Sequence, residues 1–348
     1  MTSPATQRMM VRKLLSLPIP MLRLMAGGGV VYQGGRTLDP RLQYLAAQAR
    51  GAPPMTTLTP EEARQASAIG LAVTGGDPEP GVRTEALSLP GPGGDIPARV
   101  YRPDNQDAQA PLMVFAHFGG GVIGDLETCD AFCSILAHTA RGPVLSVDYR
   151  LAPEHRFPAG LEDVLAAYRW ARDNAQRFGA PPAQAAIGGD SMGGNFAAVV
   201  CQELKKAGEP QPALQLLIYP WVEVVCESAS MTTYGDAFPL TRSTLEWFAG
   251  HYMGPGDSPA DPRLSPLRAP DLSGLAPAVV VTAGFDPLLD QGEAYARRLK
   301  EAGVPVIYRC YDGLAHAFTA FTGAVPCADV ACREVAGLVR EGYEGRIT

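Results

Sequence analysis

Gly189-Asp190-Ser191-Met192-Gly193 has the form Gly-x-Ser-x-Gly. It follows the apolar run Ala185-Ala186-Ile187-Gly188 and leads into Asn195-Phe196-Ala197-Ala198-Val199-Val200, which reads as helix. Strand, tight turn and helix form the setting in which a serine is lifted into the open as a nucleophile. The glycines allow the sharp turn, and the helix N-terminus behind Ser191 favours the negative charge that develops during attack on a carbonyl.

A serine hydroxyl attacks only when a base takes its proton. Of the five histidines, His316 sits in Gly313-Leu314-Ala315-His316-Ala317-Phe318, directly after the last strand-like run. Loops at the C-terminal ends of strands are where parallel sheets present reactive groups. His138 lies in a helical stretch, His155 in a proline-rich turn and His251 in an irregular segment. His117 closes an apolar strand before glycines and is expected to fix that loop. A carboxylate between Ser191 and His316 in chain order would orient the imidazole and stabilise its protonated form. Asp286, in Gly284-Phe285-Asp286-Pro287-Leu288, follows the preceding strand. Its competitor Asp290 reads as a helix N-cap, with Glu293 completing a capping box. His117-Phe118-Gly119-Gly120-Gly121 follows another apolar strand, and its glycines let bare backbone reach a substrate. The N–H groups of Gly119, Gly120 and Met192 together form a candidate oxyanion hole.

These residues need a sheet whose strand ends converge. Strand-like runs occur at 84–89, 96–102, 111–117, 143–148, 184–188, 213–219, 277–283 and 304–311. Helical stretches near 126–140, 160–178, 192–207, 290–303 and 327–341 separate the later ones. The alternation predicts an α/β fold with a mostly parallel sheet flanked by helices. The first strands follow one another directly, so that edge is expected to be antiparallel. Upstream, Asp39-Pro40 and Thr59-Pro60-Glu61-Glu62 are helix starts. A Gly/Pro/Asp linker at 75–81 divides an N-terminal helical unit, 1–80, from the unit at 81–348. The stretch from about 221 to 270 interrupts the alternation and reads as an insertion.

The chain has 348 residues, 29 Lys and Arg against 36 Asp and Glu, and a net charge of −7. With no basic run, nucleic acid and anionic membrane are poor partners. The seven cysteines contain no Cys-x-x-Cys and no histidine at zinc-ligand spacing, so reduced thiols in the cytoplasm are expected, with no metal. Residues 14–31 are apolar but broken by Pro18, Pro20, Arg23 and three glycines. They are expected to pack on the protein rather than span a membrane or serve as a signal peptide.

At GDSMGGN (189–195), DYRLAPEHRFPAGLEDV (148–164), GFDPLLDQGEAYARRLKEAGVPV (284–306) and GLAHAF (313–318), the chain resembles the hormone-sensitive-lipase-like, bacterial family IV carboxylesterases of the α/β-hydrolase fold. The likeness runs from about Leu38 to Leu338. It implies an eight-stranded sheet, and a helical cap built from the N-terminal helices and the 221–270 insertion. It implies hydrolysis of a small-molecule ester through an acyl-enzyme, without a cofactor, by Ser191, His316 and Asp286. A homodimer is the family-level expectation. The 148–154 stretch is read as support for the nucleophile turn, not as catalytic. Departures from the pattern are Phe118 in place of the first glycine of His-Gly-Gly-Gly, Gly121 in place of the aromatic that follows, Met192 for alanine and Ala317 for glycine. Phe118 and Met192 are therefore candidate pocket residues, and acyl chains of short to medium length are expected. A lactone, amide or thioester would suit the same nucleophile, in hydrolysis or acyl transfer. The plant gibberellin receptors that share this scaffold lack the histidine that this chain keeps, which disfavours a purely ligand-binding role.

Overall fold

The computed structural model describes residues 4–347. The N-terminal unit runs α1 (Pro4–Leu15), α2 (Ile19–Met25), a two-stranded ribbon of β1 (Tyr32–Gln33) and β2 (Arg36–Thr37), α3 (Pro40–Ala49) and α4 (Pro60–Thr74). The α3 start is the expected one: Asp39 accepts from the Arg41 N–H at 2.7 Å. Helix α4 opens with a full capping box between Thr59 and Glu62, a device that contributes about 1 kcal/mol. Helix α1 lies on α4, and α2 on α3.

The main sheet follows: β3 (Val82–Gly91), β4 (Gly94–Pro103), β5 (Leu112–Ala116), α5 (Asp130–Ala140), β6 (Val144–Val147), α6 (Ala159–Asp173), β7 (Ala185–Asp190), α7 (Met192–Ala207), β8 (Gln215–Ile218), α8 (Ala229–Thr233), α9 (Arg242–Tyr252), β9 (Ala278–Phe285), α10 (Leu289–Glu301), β10 (Val306–Ala315) and α11 (Pro326–Tyr343). The eight-stranded order is β10-β9-β8-β7-β5-β6-β4-β3. Pairs from β6 through β10 are parallel, while β3–β4 and β4–β6 are antiparallel, as the directly successive first strands require. Strands β5 to β9 are buried along their whole length. That burial follows from two covered faces: α6, α7 and α10 belong to the core on one side, α5 and α11 to the core on the other.

One local expectation is corrected. Asp290 is not a helix cap. Helix α10 begins after Leu288 with no side-chain cap, and Asp290 accepts instead from the Ser230 N–H at 2.8 Å, tying α8 to α10. Residues 14–31 pack on the protein, as expected, through buried Leu15, Leu22 and Ala26 and partly buried Leu14, Leu17 and Val31, while Ile19, Met21, Leu24, Met25 and Val30 face outward. Among the described residues, no helix is long and apolar enough to cross a membrane.

Candidate active site

Ser191 stands between the end of β7 and the first residue of α7, with φ 54° and ψ −114°. A non-glycine residue there is strained by roughly 1–3 kcal/mol. Sharp local packing enforces the turn. A Cβ on Gly193 would run into the carbonyl oxygen of Ala116 at the end of β5, and one on Gly189 would meet the same oxygen at 2.6 Å. The two glycines let the elbow sit directly on the neighbouring strand.

His316, just past β10, and Asp286, just past β9, reach the same spot. His316 Nε2 lies 3.0 Å from Ser191 Oγ, and Nδ1 lies 2.7 Å from Asp286 Oδ2. Asp286 Oδ1 accepts from the Leu288 N–H at 2.8 Å, so both carboxylate oxygens are held. All three residues are buried. With the Nδ1 proton donated to Asp286, Nε2 is the free lone pair facing the serine hydroxyl. That is the arrangement in which a serine can be deprotonated as it attacks.

The other histidines lie apart from this chain of bonds. His117 donates from Nδ1 to the Phe118 carbonyl at 2.7 Å and stacks on Tyr149 at 4.3 Å. Complete burial pushes its pKa down to about 4, so it stays neutral at working pH and fixes the loop.

In the glycine loop, Gly119, Gly120 and Gly121 have φ values of 126°, 62° and 72°, whereas Phe118 is not among the positive-φ residues. Among the described residues, the Gly119 and Gly120 N–H groups donate to no backbone or side-chain acceptor. Met192, first in α7, has no acceptor within its helix. The place left by Gly121 is filled from the insertion: a Cβ there would meet the Tyr252 ring at 2.7 Å, and Phe248, one turn earlier on α9, lies against Gly120. Phe118 is half-buried against the α5/α11-side core, and Met192 is fully buried in the other. Ala317 has φ 57°, which explains the family's glycine there; alanine costs about 1–2 kcal/mol at this angle.

Three features escaped the sequence reading. Asp190 is wholly buried and accepts from Tyr219 Oη at 2.9 Å and Thr319 Oγ1 at 2.8 Å, with Cys129 Sγ 3.5 Å away. Burial raises its pKa to about 6, against the lowering effect of these donors. The Tyr219 ring lies 4.7 Å from that of His316. One buried carboxylate thus joins the ends of β7 and β8 to the turn after His316. Asn195 Nδ2 donates to the carbonyls of Trp221 and Leu264, fixing both ends of the insertion to the nucleophile helix. The third is Arg64 on α4, described next.

The 148–154 stretch braces the glycine loop, and Tyr149 also packs edge-on at 5.0 Å against Phe196 of the nucleophile helix. Tyr149 Oη donates to the His117 carbonyl at 2.8 Å, and the Ala152 N–H to that of Gly121 at 2.8 Å. Arg64 completes the brace. Its guanidinium donates to the Val122 and Ala152 carbonyls, both at 2.9 Å, and forks onto Glu154 at 2.9 and 2.7 Å. Glu154 is held down to about pKa 2, chiefly by that hydrogen-bonded partner. Arg64→Ala is expected to lower kcat roughly tenfold with a smaller change in KM, because the carbonyls it holds set where the loop N–H groups point. Lysine at 64 lacks the planar fork and should restore only part of the rate. Steady-state kinetics on a soluble acetate ester measure both.

Residues 113–320 match a family model described as alpha/beta hydrolase fold. The chain is 44% identical over 316 residues to the carboxylic ester hydrolase LipN of Mycobacterium tuberculosis, covering 88% of this chain and 84% of that protein. It is 37% identical over 280 residues to an ethyl acetate hydrolase of Pseudomonas putida, covering 79% and 88%. Among solved structures it is similar to an alpha/beta hydrolase enzyme from the metagenome of Lake Arreo, Spain, with TM-score 0.84, 40% identity, and coverage of 88% and 99%. It is also similar to the esterase of Pyrobaculum calidifontis, with TM-score 0.80, 35% identity, and coverage of 89% and 100%.

Proposed function

Since the chain belongs to the α/β-hydrolase esterases related to hormone-sensitive lipase, and is a serine carboxylesterase acting on small esters, we propose that Ser191, His316 and Asp286 carry the reaction through an acyl-enzyme. The observation that carries this reading is the unbroken chain Ser191–His316–Asp286, at 3.0 and 2.7 Å, on a positive-φ serine. Ser191 Oγ attacks the ester carbonyl carbon while His316 Nε2 takes its proton. The carbonyl oxygen, now anionic, accepts from the Gly119, Gly120 and Met192 N–H groups; each such donor supplies about 2.7–4 kcal/mol. Collapse breaks the bond to the alkoxy oxygen, which leaves with the proton from His316. Water then attacks the acyl-enzyme by the same steps, and Ser191 is released.

The N-terminal helices and the insertion act as the cap in this reading. Helix α4 packs on the Phe318–Phe321 turn that follows His316, and α9 packs on the glycine loop. We place short to medium acyl esters against Ser191, with Phe118 as the side chain limiting acyl length; Met192, expected from its bulk to narrow the site, is instead wholly buried in the core. The seven free thiols agree with a cytoplasmic setting.

Across p-nitrophenyl esters of increasing acyl length, kcat/KM is expected to peak at short chains and decline through the longer ones. Phe118→Ala should shift the peak to longer chains and leave the acetate rate nearly intact. Highest activity on the longest ester, with a jump at the emulsion threshold, would overturn the chain-length reading. Including a lactone, an amide and a thioester in the panel tests the alternative acyl classes.

A further inference from the structure

Among the described residues, the structure has eleven large hydrophobic side chains that are exposed, and eight of them lie between Met9 and Tyr32. Leu24 and Tyr32 are 77% and 70% exposed, and α2 buries only Leu22 while presenting Ile19, Met21, Leu24 and Met25 to solvent. A face of this kind marks a contact surface. Charge decides which contact. The chain as a whole is at −7, but its first 38 residues hold Arg8, Arg12, Lys13, Arg23 and Arg36 and no Asp or Glu. The acidity that disfavours an anionic surface for the whole molecule is therefore absent from this segment. Arg8 and Arg12 are partly neutralised by Asp77, and Arg36 by Asp312; Lys13 and Arg23 have no acidic partner among the described residues. A second copy meeting this face about a two-fold axis would bring cation against cation. Exposed methionines, Ile19 and Leu24 flanked by cations without acidic partners instead suit an interface of acyl chains and anionic headgroups, where Lys and Arg stems lie along apolar surface and extend to phosphate.

We propose that α1 and α2 form a peripheral docking face for an anionic lipid bilayer, with Met9, Met10, Met21, Leu24 and Met25 entering the acyl region and Lys13 and Arg23 meeting the headgroups. Helix α1 rests on α4, and Arg12 donates to the Gly323 carbonyl at 3.0 Å beyond the turn that follows His316. Docking by this face brings the cap side of the protein to the membrane, where apolar esters concentrate. Acyl length is limited inside the site, and location is set by the outer face. The two are independent, and the docking is read by sedimentation rather than by turnover.

The test is co-sedimentation of the full-length protein with vesicles of phosphatidylglycerol and phosphatidylcholine in equal parts, and with phosphatidylcholine alone. Wild type should bind the anionic vesicles at least about tenfold more tightly than the neutral ones, and lose that preference at high salt. Leu24→Glu/Met25→Glu should lower anionic binding by at least about tenfold. The same variant should hydrolyse a soluble acetate ester at the wild-type rate, which verifies folding. Lys13→Gln/Arg23→Gln, which leaves the apolar residues in place, should weaken binding to anionic vesicles alone. Absence of binding to anionic vesicles, or equal binding by wild type and Leu24→Glu/Met25→Glu, would overturn the proposal. So would a wild-type dimer in sedimentation velocity that Leu24→Glu/Met25→Glu converts to monomer without any vesicle binding, since the face would then be an interface between copies.

Discussion

Ser191→Ala is expected to lower kcat on a soluble acetate ester by roughly 10⁴-fold or more while leaving the protein folded. The oxygen it removes is the one 3.0 Å from His316 Nε2, and no other hydroxyl among the described residues is hydrogen-bonded to that nitrogen. The Cβ is retained, so the elbow keeps its packing on Ala116, and alanine meets the same backbone strain at φ 54° as serine does. The stability change is then limited to one hydrogen bond, about 1 kcal/mol. Thermal melting and single-turnover kinetics separate the two effects. A serine-directed phosphonate should add one adduct to wild type, mapped to the peptide containing Ser191, and none there in the variant. Turnover by the alanine protein at more than a small fraction of the wild-type rate would mean that another group is the nucleophile.

Asp286→Asn should cost roughly 10³–10⁴ in kcat, with KM changing far less. The carboxylate accepts on both oxygens, from the Leu288 N–H and from His316 Nδ1. An amide has only one acceptor oxygen. If that oxygen keeps Leu288, the amide NH2 faces Nδ1 and drives the imidazole proton to Nε2, where it blocks the transfer from Ser191. If the oxygen keeps Nδ1, the Leu288 N–H is left against a donor in a fully buried site. Asp290→Asn serves as the control: its carboxylate holds the Ser230 backbone, so it should affect stability more than rate. Equal losses in the two variants would assign the orienting role wrongly.

The sheet and the helices between its parallel strands were legible because the central strands, β5 to β9, are short apolar runs between turn residues. Capping chemistry at Asp39 and Thr59 likewise marks two N-terminal helix starts. What could not be read depends on partners distant in the chain. Asp290 has the residues of a helix cap, but Ser230 claims its side chain from 60 positions away. Gly121 suggests an open place beside the loop, and the ring that occupies it belongs to Tyr252 on another helix. Asn195 and Arg64 look like ordinary helix-face residues until the carbonyls they bind are brought to them by the fold. For residues 9–32, periodicity identifies apolar positions but not how few of them are covered. Ser191, His316 and Asp286 stood out for a different reason. Each follows directly from a strand, so the parallel register carries their side chains to one end of the sheet.

The buried carboxylate of Asp190 has a consequence for how the protein comes into being on the ribosome. Its donors lie 29 and 129 residues further along, and the imidazole that faces Ser191 follows it by 125. At 5–20 residues per second, roughly 6–25 s pass between synthesis of the nucleophile and synthesis of its base. Throughout that interval β9, β10 and their loops are missing or incomplete, and the emerging chain holds an elbow whose acid lacks its partners. Competence for hydrolysis therefore arrives late and all together, when the last strand docks, and nascent chains released early carry the serine without the means to use it.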